Sequence, residues 1–324
     1  VNTLGSICSH YLQICSKNKN LSRHTLKAYN IDMAQFMSCI GKQHPINNIT
    51  KVELQSFHDH LIEESLSPSS IKRKLACIRA MFKWLELEEM IEINPFHKFR
   101  ASIKSARRLP KNVPANELNA MIMQAKAELG LTKRQSYRFS RISRLVTRKK
   151  SLNKLTTLVS IELMLSTGIR VGELSGITIN CVDIYDRKIK ILGKGARERY
   201  VFLPDQEVCD LVESYLKLRH ITEPETEVLL VNSRGKPAST QFLRKLIKDN
   251  AKNAFTKQKV TPHMLRHSAA CELLESGLDI RFVQRLLGHS SISTTEIYTH
   301  VNDKQLKDKV SQANVRGRVR SMDN

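Results

Sequence analysis

No apolar run in this chain approaches the roughly 20 residues that a bilayer-spanning helix requires, so no membrane span is expected. The opening stretch, VNTLGSICSHYLQICSKNKN, lacks a charged start followed by an apolar block, and no signal peptide is expected. The 7 cysteines (Cys8, Cys15, Cys39, Cys77, Cys181, Cys209, Cys271) are odd in number and contain no CxxC pair. That argues against a disulfide framework and against a zinc site. They are expected to serve as small apolar residues in a reducing cytoplasm. The 11 histidines form no HExxH pattern, so no metal is expected. Internal repeats and low-complexity segments are also missing. Acid is scarce too: 31 acidic residues stand against 53 basic ones, a formal charge of +22 in 324 residues. A surplus of that size repels itself in the folded state and points to a polyanionic partner. Nucleic acid and an anionic membrane surface both meet that description, and the lack of a spanning segment favours nucleic acid.

What is present reads as two domains. The first ~100 residues carry helical periodicity almost throughout. Leu4, Ile7, Tyr11 and Ile14 mark one helix. A second opens at Ser22 and runs through Tyr29, Met33, Phe36 and Ile40 to Gly41, and a third covers Lys51 to Glu64. A fourth follows the serine–proline–serine at 67–69, with Ile71, Leu75, Ile78, Phe82 and Leu85 on one face as a core stripe. On another face of that helix stand Lys72, Arg79 and Lys83, either a solvated surface or a row of phosphate contacts. Asn94-Pro95 ends the helical block. The segment FHKFRASIKSARRLPKNVP, with Arg107 and Arg108, is basic and poor in apolar periodicity, and residues 101–112 read as a linker.

From Pro114 a second pattern begins, with helices over 116–130 and 152–166. Between them LTKRQSYRFSRISRLVTRKKS is rich in basic residues, Arg141, Arg144 and Arg148 among them, and holds no acid. It reads as a solvated surface loop or as a set of phosphate contacts that position without reading sequence. Short β-like runs at 181–184, 188–192 and 200–203, the last two separated by GKGAR, predict a small antiparallel sheet. Helices resume at 205–219 and 240–254 and continue to the end.

Four separated stretches carry the chemistry. In STGIRVGEL (166–174), Gly168 lets the backbone leave one helix and Arg170 starts the next. A guanidinium there is set to hold a phosphate, with Glu173 within reach on the same face. In HMLRH (263–267), His263 and Arg266 are three apart and share a helix face, joining a proton-exchanging imidazole to an anion-binding fork. In LLGH (286–289), Gly288 lets the chain turn toward His289. In TTEIYTH (294–300), Tyr298 follows closely. Each alone has an ordinary explanation: an ion-paired arginine, a surface histidine, a packed tyrosine.

Together, an arginine, HxxR some 90 residues later, LGH, and a tyrosine nine residues after the last histidine resemble the C-terminal domain of the tyrosine recombinase, or phage integrase, family. Residues ~113–300 resemble its catalytic domain, and the helical block ending in IEINPF resembles its core-binding domain. The resemblance implies a mainly α fold with a small antiparallel β-sheet in the catalytic domain (α+β), the two domains forming a C-shaped clamp around DNA. The SAM-like core-binding domain would occupy 1–100 and the catalytic domain with its C-terminal tail 113–324. It also implies roles. Arg170 and Arg266 match the phosphate-binding arginines, and Lys194 matches the lysine that protonates the leaving 5′-oxygen. His263 matches the acid/base histidine, His289 the second phosphate-contacting histidine, Glu173 the supporting acid and Tyr298 the nucleophile. The basic stretch at 131–150 is longer than the usual connection there.

The family's chemistry is strand cleavage and rejoining through a 3′-phosphotyrosine, without metal, cofactor or ATP. It serves to integrate, excise or resolve mobile elements, with a homotetramer on two double-stranded DNA sites passing through a Holliday junction. Accessory DNA-bending or directionality proteins are further partners of such enzymes, and the setting is the bacterial cytoplasm, at the nucleoid. The apolar residues Val301, Leu306 and Val310 of the tail are spaced to pack on the chain itself or on a neighbouring subunit. A type IB topoisomerase-like enzyme and a non-catalytic DNA-binding protein are the alternatives. The helical N-terminal block argues against the first, and the complete set of chemical residues against the second.

Overall fold

The computed structural model describes residues 2–17, 21, 23–103, 112–132, 134–193, 198–288, 303–314 and 317. The chain divides into two compact units, Val1–Arg108 and Leu109–Asn324. Each buries its own hydrophobic core.

The first unit is helical, with α1 (Leu4–Lys17), α2 (Arg23–Ile40), α3 (Lys51–Glu63) and α4 (Pro68–Leu87). Local chemistry sets its boundaries. Thr50 begins α3 with a capping box, its hydroxyl accepting from the Val52 N–H at 3.1 Å while Glu53 accepts from the Thr50 N–H at 2.7 Å. Ser67 caps α4 and Pro68 fills the first helical position, where a missing N–H costs nothing. The stripe Ile71, Leu75, Ile78, Phe82 and Leu85 is buried, as its spacing predicts.

One ion cluster lies inside this core. Asp32 on α2 is fully buried and holds Lys74 at 3.0 Å and Arg73, both on α4. Asp32→Ala is expected to destabilise the first unit by about 3–5 kcal/mol, because Lys74 is left charged and buried without its partner. Urea unfolding of the full chain measures this, and a loss below about 1 kcal/mol would mean the lysine escapes to water.

The basic segment after Asn94 is partly anchored. Phe96 and Phe99 are buried, with rings 5.7 Å apart edge to face, and Phe96 lies 5.7 Å from Phe82. Two aromatic side chains thus fasten this end to the first core.

The second unit is built around α7 (Lys149–Thr167), against which α5 (Ala115–Leu129), α9 (Gln206–Leu218), α10 (Thr240–Asn253) and α11 (Pro262–Glu275) pack. Every residue of α7 from Leu155 through Thr167 is buried. A helix enclosed on all sides needs internal partners for its polar groups. Thr156 donates to the Leu152 carbonyl at 2.9 Å and lies 3.1 Å from the Tyr215 hydroxyl, Ser160 donates to the Thr156 carbonyl, and Glu162 accepts from the Tyr137 hydroxyl.

A three-stranded antiparallel sheet in the order β1 (Val182–Asp183), β2 (Lys188–Leu192), β3 (Glu198–Phe202) lies beside this bundle, with Lys188 opposite Phe202 and Leu192 opposite Glu198. The mainly helical fold with a small antiparallel sheet is therefore the observed one. The basic stretch before α7 is not a loop throughout. It forms α6 (Phe139–Leu145) against α9, pinned by buried Leu131, Tyr137, Ile142 and Val146. Two short elements complete the site, α8 (Val171–Leu174) and α12 (Ile280–Leu287). Near the end, α13 (Asp303–Ala313) packs on β3 of its own chain, with Val310 and Ala313 buried. The Val301 and Leu306 side chains lie outside the described residues. Among the described residues no helix is long and apolar enough to cross a membrane.

Candidate active site

The site forms where three chain segments end together. The first end is that of α7. Gly168 adopts a left-handed conformation (φ 64°) as its C-cap, and two residues later Arg170 is the N-cap of α8. The second end is that of α12, closed by Gly288 in the same conformation (φ 64°). The two glycines serve different contacts. A Cβ on Gly168 would overlap Leu287 Cδ2, and one on Gly288 would meet the Arg199 side chain at 3.2–3.3 Å. Gly168→Ala is therefore expected to cost about 1–3 kcal/mol through strain and overpacking. Thermal unfolding checks this, and Leu287→Ala in the same chain should recover the steric share while leaving the conformational one.

The third segment is the start of α11. Thr261 caps it, Pro262 takes the first position, His263 follows exposed on the first turn, and Arg266 lies one turn further in, buried. The His263 side chain is exposed, within reach of a ligand on that turn.

Three arginines converge on the end of α12. Arg170 donates through Nη2 to the Gly288 carbonyl at 3.0 Å. Arg266 donates through Nη1 to the Gly168 carbonyl at 2.7 Å and through Nη2 to the Leu287 carbonyl at 2.6 Å. Arg199, on β3, donates through Nε to the Leu286 carbonyl at 3.0 Å. Carbonyls at a helix C-terminus lack intrahelical partners and carry the negative end of the helix dipole, so cations are favoured there.

Glu173 ties the cluster together. It accepts from the Arg170 N–H at 3.0 Å, from Arg170 Nη1 at 2.8 Å, and from both Arg199 terminal nitrogens at 2.9 and 2.8 Å. Burial pushes the Glu173 carboxyl up, but the hydrogen bonds from Arg199 and from the Arg170 backbone outweigh it and hold the group below its usual range.

Three guanidiniums against one carboxylate leave positive charge uncompensated. Its mark is on Arg266, which burial and the neighbouring charge of Arg170 bring down to about 10. An anion arriving here would relieve that repulsion. The Arg170 side chain is 38% exposed, which leaves it open to such a ligand. Among the described residues no His, Cys, Asp or Glu side chains gather as a cation site.

Of the residues singled out by sequence, Arg170, Glu173 and Arg266 come together, and His263 lies one turn from Arg266. Lys194, His289 and Tyr298 lie outside the described residues, as do Arg107 and Arg108. Lys72, Arg79 and Lys83 are exposed along one face of α4, with the Arg79 guanidinium 5.1 Å from the centre of the Phe96 ring. Arg141 and Arg144 are exposed on α6, and Arg148 is exposed where α7 begins. These basic groups remain uncommitted by geometry alone. Arg199 was missed by sequence reasoning. Its signal was parity: it stands in phase with buried Val201 on a strand, and an inward charge demands a partner.

Comparison with known proteins agrees with this arrangement. Residues 112–305 match the phage integrase family, and residues 9–89 match the phage integrase N-terminal SAM-like domain. A tyrosine recombinase of Agathobacter rectalis is 32% identical over 308 residues, covering 95% of this chain and 96% of that protein. The tyrosine recombinase XerC of Leptospira interrogans is 32% identical over 95% of this chain and 92% of its own. Among solved structures, a lambda integrase tetramer bound to a Holliday junction shares the fold with a TM-score of 0.65 at 19% identity, covering 95% of this chain and 78% of that one. With a family match across more than half its length and relatives 32% identical over more than nine-tenths of both chains, this chain belongs to the phage integrase family of tyrosine recombinases and is a site-specific recombinase enzyme.

Proposed function

We propose that the chain cuts and rejoins double-stranded DNA through a covalent 3′-phosphotyrosine at Tyr298, and that it does so on behalf of a mobile element by integrating, excising or resolving it. The observation that carries this reading is the meeting of Arg170 and Arg266, distant in sequence, at one helix end with charge left over.

A phosphodiester repels nucleophiles, and negative charge builds on its nonbridging oxygens during displacement. Arg170 and Arg266 supply fixed positive charge to those oxygens, which lowers the barrier by preorganisation. His263 and His289 add hydrogen bonds to the same phosphate. The Tyr298 phenol passes its proton to His263, the acid/base histidine, as its oxygen bonds phosphorus. The bond from phosphorus to the 5′-oxygen breaks, and Lys194 supplies that oxygen with a proton. The ester energy is kept in the phosphotyrosine, so a 5′-hydroxyl from a second duplex reverses the step without ATP or metal.

The first unit serves as the core-binding domain, with Lys72, Arg79 and Lys83 on phosphates, and Arg141, Arg144 and Arg148 extend the contact from the second. Arg107 and Arg108 do the same from the linker at 101–112. The working assembly is a tetramer on two DNA sites, a reading supported by the lambda integrase tetramer bound to a Holliday junction. The setting is the bacterial cytoplasm.

A duplex nicked just beyond the cleavage point tests the proposal, because the short leaving strand diffuses away and traps the adduct. Covalent capture is the expected result, followed by exchange when a second duplex is supplied. DNA binding with no adduct would overturn it. Adduct formation with relaxation of supercoils but no exchange between duplexes would identify a type IB topoisomerase activity instead.

A further inference from the structure

We propose that Arg199 is a positioning residue that aims the Arg170 guanidinium at the scissile phosphate, an inference that rests on the function proposed above. The two are linked through Glu173. Each Glu173 oxygen accepts one hydrogen bond from Arg170 and one from Arg199, so the carboxylate is gripped from both sides. The Arg199 side chain is 14% exposed and Glu173 9%, whereas Arg170 is 38% exposed. The inner guanidinium is thus the fixed partner and the outer one the group free to meet a ligand.

Arg199 has a second hold. Its Nε donates to the Leu286 carbonyl, and the flat side chain lies against the Cα of Gly288, where a Cβ would meet it at 3.2–3.3 Å. One side chain therefore joins β3, α8 and the end of α12. The fork shape is what permits this: a bidentate face for the carboxylate and a third N–H pointing elsewhere. Without Arg199, Glu173 loses two of its four donors and is free to rotate. The Arg170 fork then loses its direction, although its charge remains nearby.

This geometry predicts a loss of rate without a matching loss of affinity. The Arg199 side chain is mostly buried and its nitrogens are spent on Glu173 and the Leu286 carbonyl, so DNA binding should persist. Misdirection of a charge-stabilising group by about an ångström costs roughly 100-fold in the chemical step. The experiment compares wild type, Arg199→Met, Arg199→Lys, Arg170→Lys and the double variant Arg170→Lys/Arg199→Met on the nicked duplex. Single-turnover cleavage rate, DNA dissociation constant and melting temperature are measured for each.

Arg199→Met should cleave roughly 10- to 100-fold more slowly, with affinity changed less than about 2-fold. In the Arg170→Lys background the Met substitution should add little further loss, since the fork it would aim is already gone. Arg199→Lys keeps the charge but not the bidentate face, so it should resemble Met in rate. This variant carries the test if Arg199→Met does not fold. Full cleavage rate in Arg199→Lys or Arg199→Met, full multiplicative loss in the double variant, or a rate loss matched by an equal loss of affinity would each overturn the inference. Absence of any adduct from wild type would instead overturn the proposed function.

Discussion

Tyr298→Phe should eliminate covalent capture on a nicked duplex, a loss of about 10⁴-fold or more in cleavage, while DNA affinity stays within about 2-fold of wild type. The substitution removes one oxygen. That oxygen forms the one new bond to phosphorus in the proposed step, and a phenylalanine ring carries no nucleophile in its place. Affinity for a duplex comes chiefly from phosphate neutralisation spread over many basic residues, and the chain carries 53 of them. A single phenol contributes little to that sum. A gel separating protein–DNA adducts under denaturing conditions reads the first quantity, and binding to an intact duplex reads the second. Adduct formation by the phenylalanine variant would assign the nucleophile elsewhere, and equal loss of binding would mean that the tyrosine holds the fold.

Arg266→Gln is the second large effect, and here stability and chemistry fall together. Arg266 is buried and donates to the carbonyls of Gly168 and Leu287, so it joins the ends of α7 and α12 before any DNA arrives. Hydrogen bonds from a charged donor contribute about 1.5–3 kcal/mol each, and a shorter amide replaces neither well. A loss near 3 kcal/mol lowers the melting temperature by roughly 6–12 °C for a unit of this size. Cleavage should fall about 10²- to 10³-fold, the usual effect of deleting one donor to a developing charge. Arg170→Gln separates the two roles. Arg170 is more exposed, and its partners are the Gly288 carbonyl and Glu173, which keeps both hydrogen bonds from Arg199, so the same loss of cleavage should come with a smaller fall in melting temperature. Differential scanning calorimetry together with the nicked-duplex assay distinguishes them. Equal destabilisation by both substitutions would mean the cluster acts as one structural unit.

Much of this architecture is legible in the chain because period and punctuation agree. The α4 stripe from Ile71 to Leu85 recurs at helical spacing, Ser67 and Pro68 mark its start, and the alternation of β2 and β3 flanks a glycine-rich turn. The arginine of STGIRVGEL and the HxxR pair are visible as motifs, and Gly168 and Gly288 as the points where helices must end.

What resisted reading has one cause: side chains whose partners are far away in sequence. Thr156, Ser160 and Glu162 make α7 look half-solvated until Tyr137 and Tyr215 are brought against it. The stretch before α7 has the composition of a loop, and only irregularly spaced Tyr137, Ile142 and Val146 hold it down. Phe96 and Phe99 sit inside a run of basic residues that reads as linker. Arg199 looks like one more cation in a basic hairpin, and its burial follows from Glu173, 26 residues earlier.

The enclosure of α7 bears on how such a chain can diverge. On α9 or α10 a solvent-facing position accepts most polar replacements, so substitutions accumulate there in a helical rhythm. Between Leu155 and Thr167 no face of α7 meets water, and the rhythm has nothing to act on. A lysine at any position there would have to enter a filled interior. The ancestry of this protein should therefore be written most conservatively along the rod that delivers Arg170, a block of frozen sequence in a molecule whose surface is free to wander.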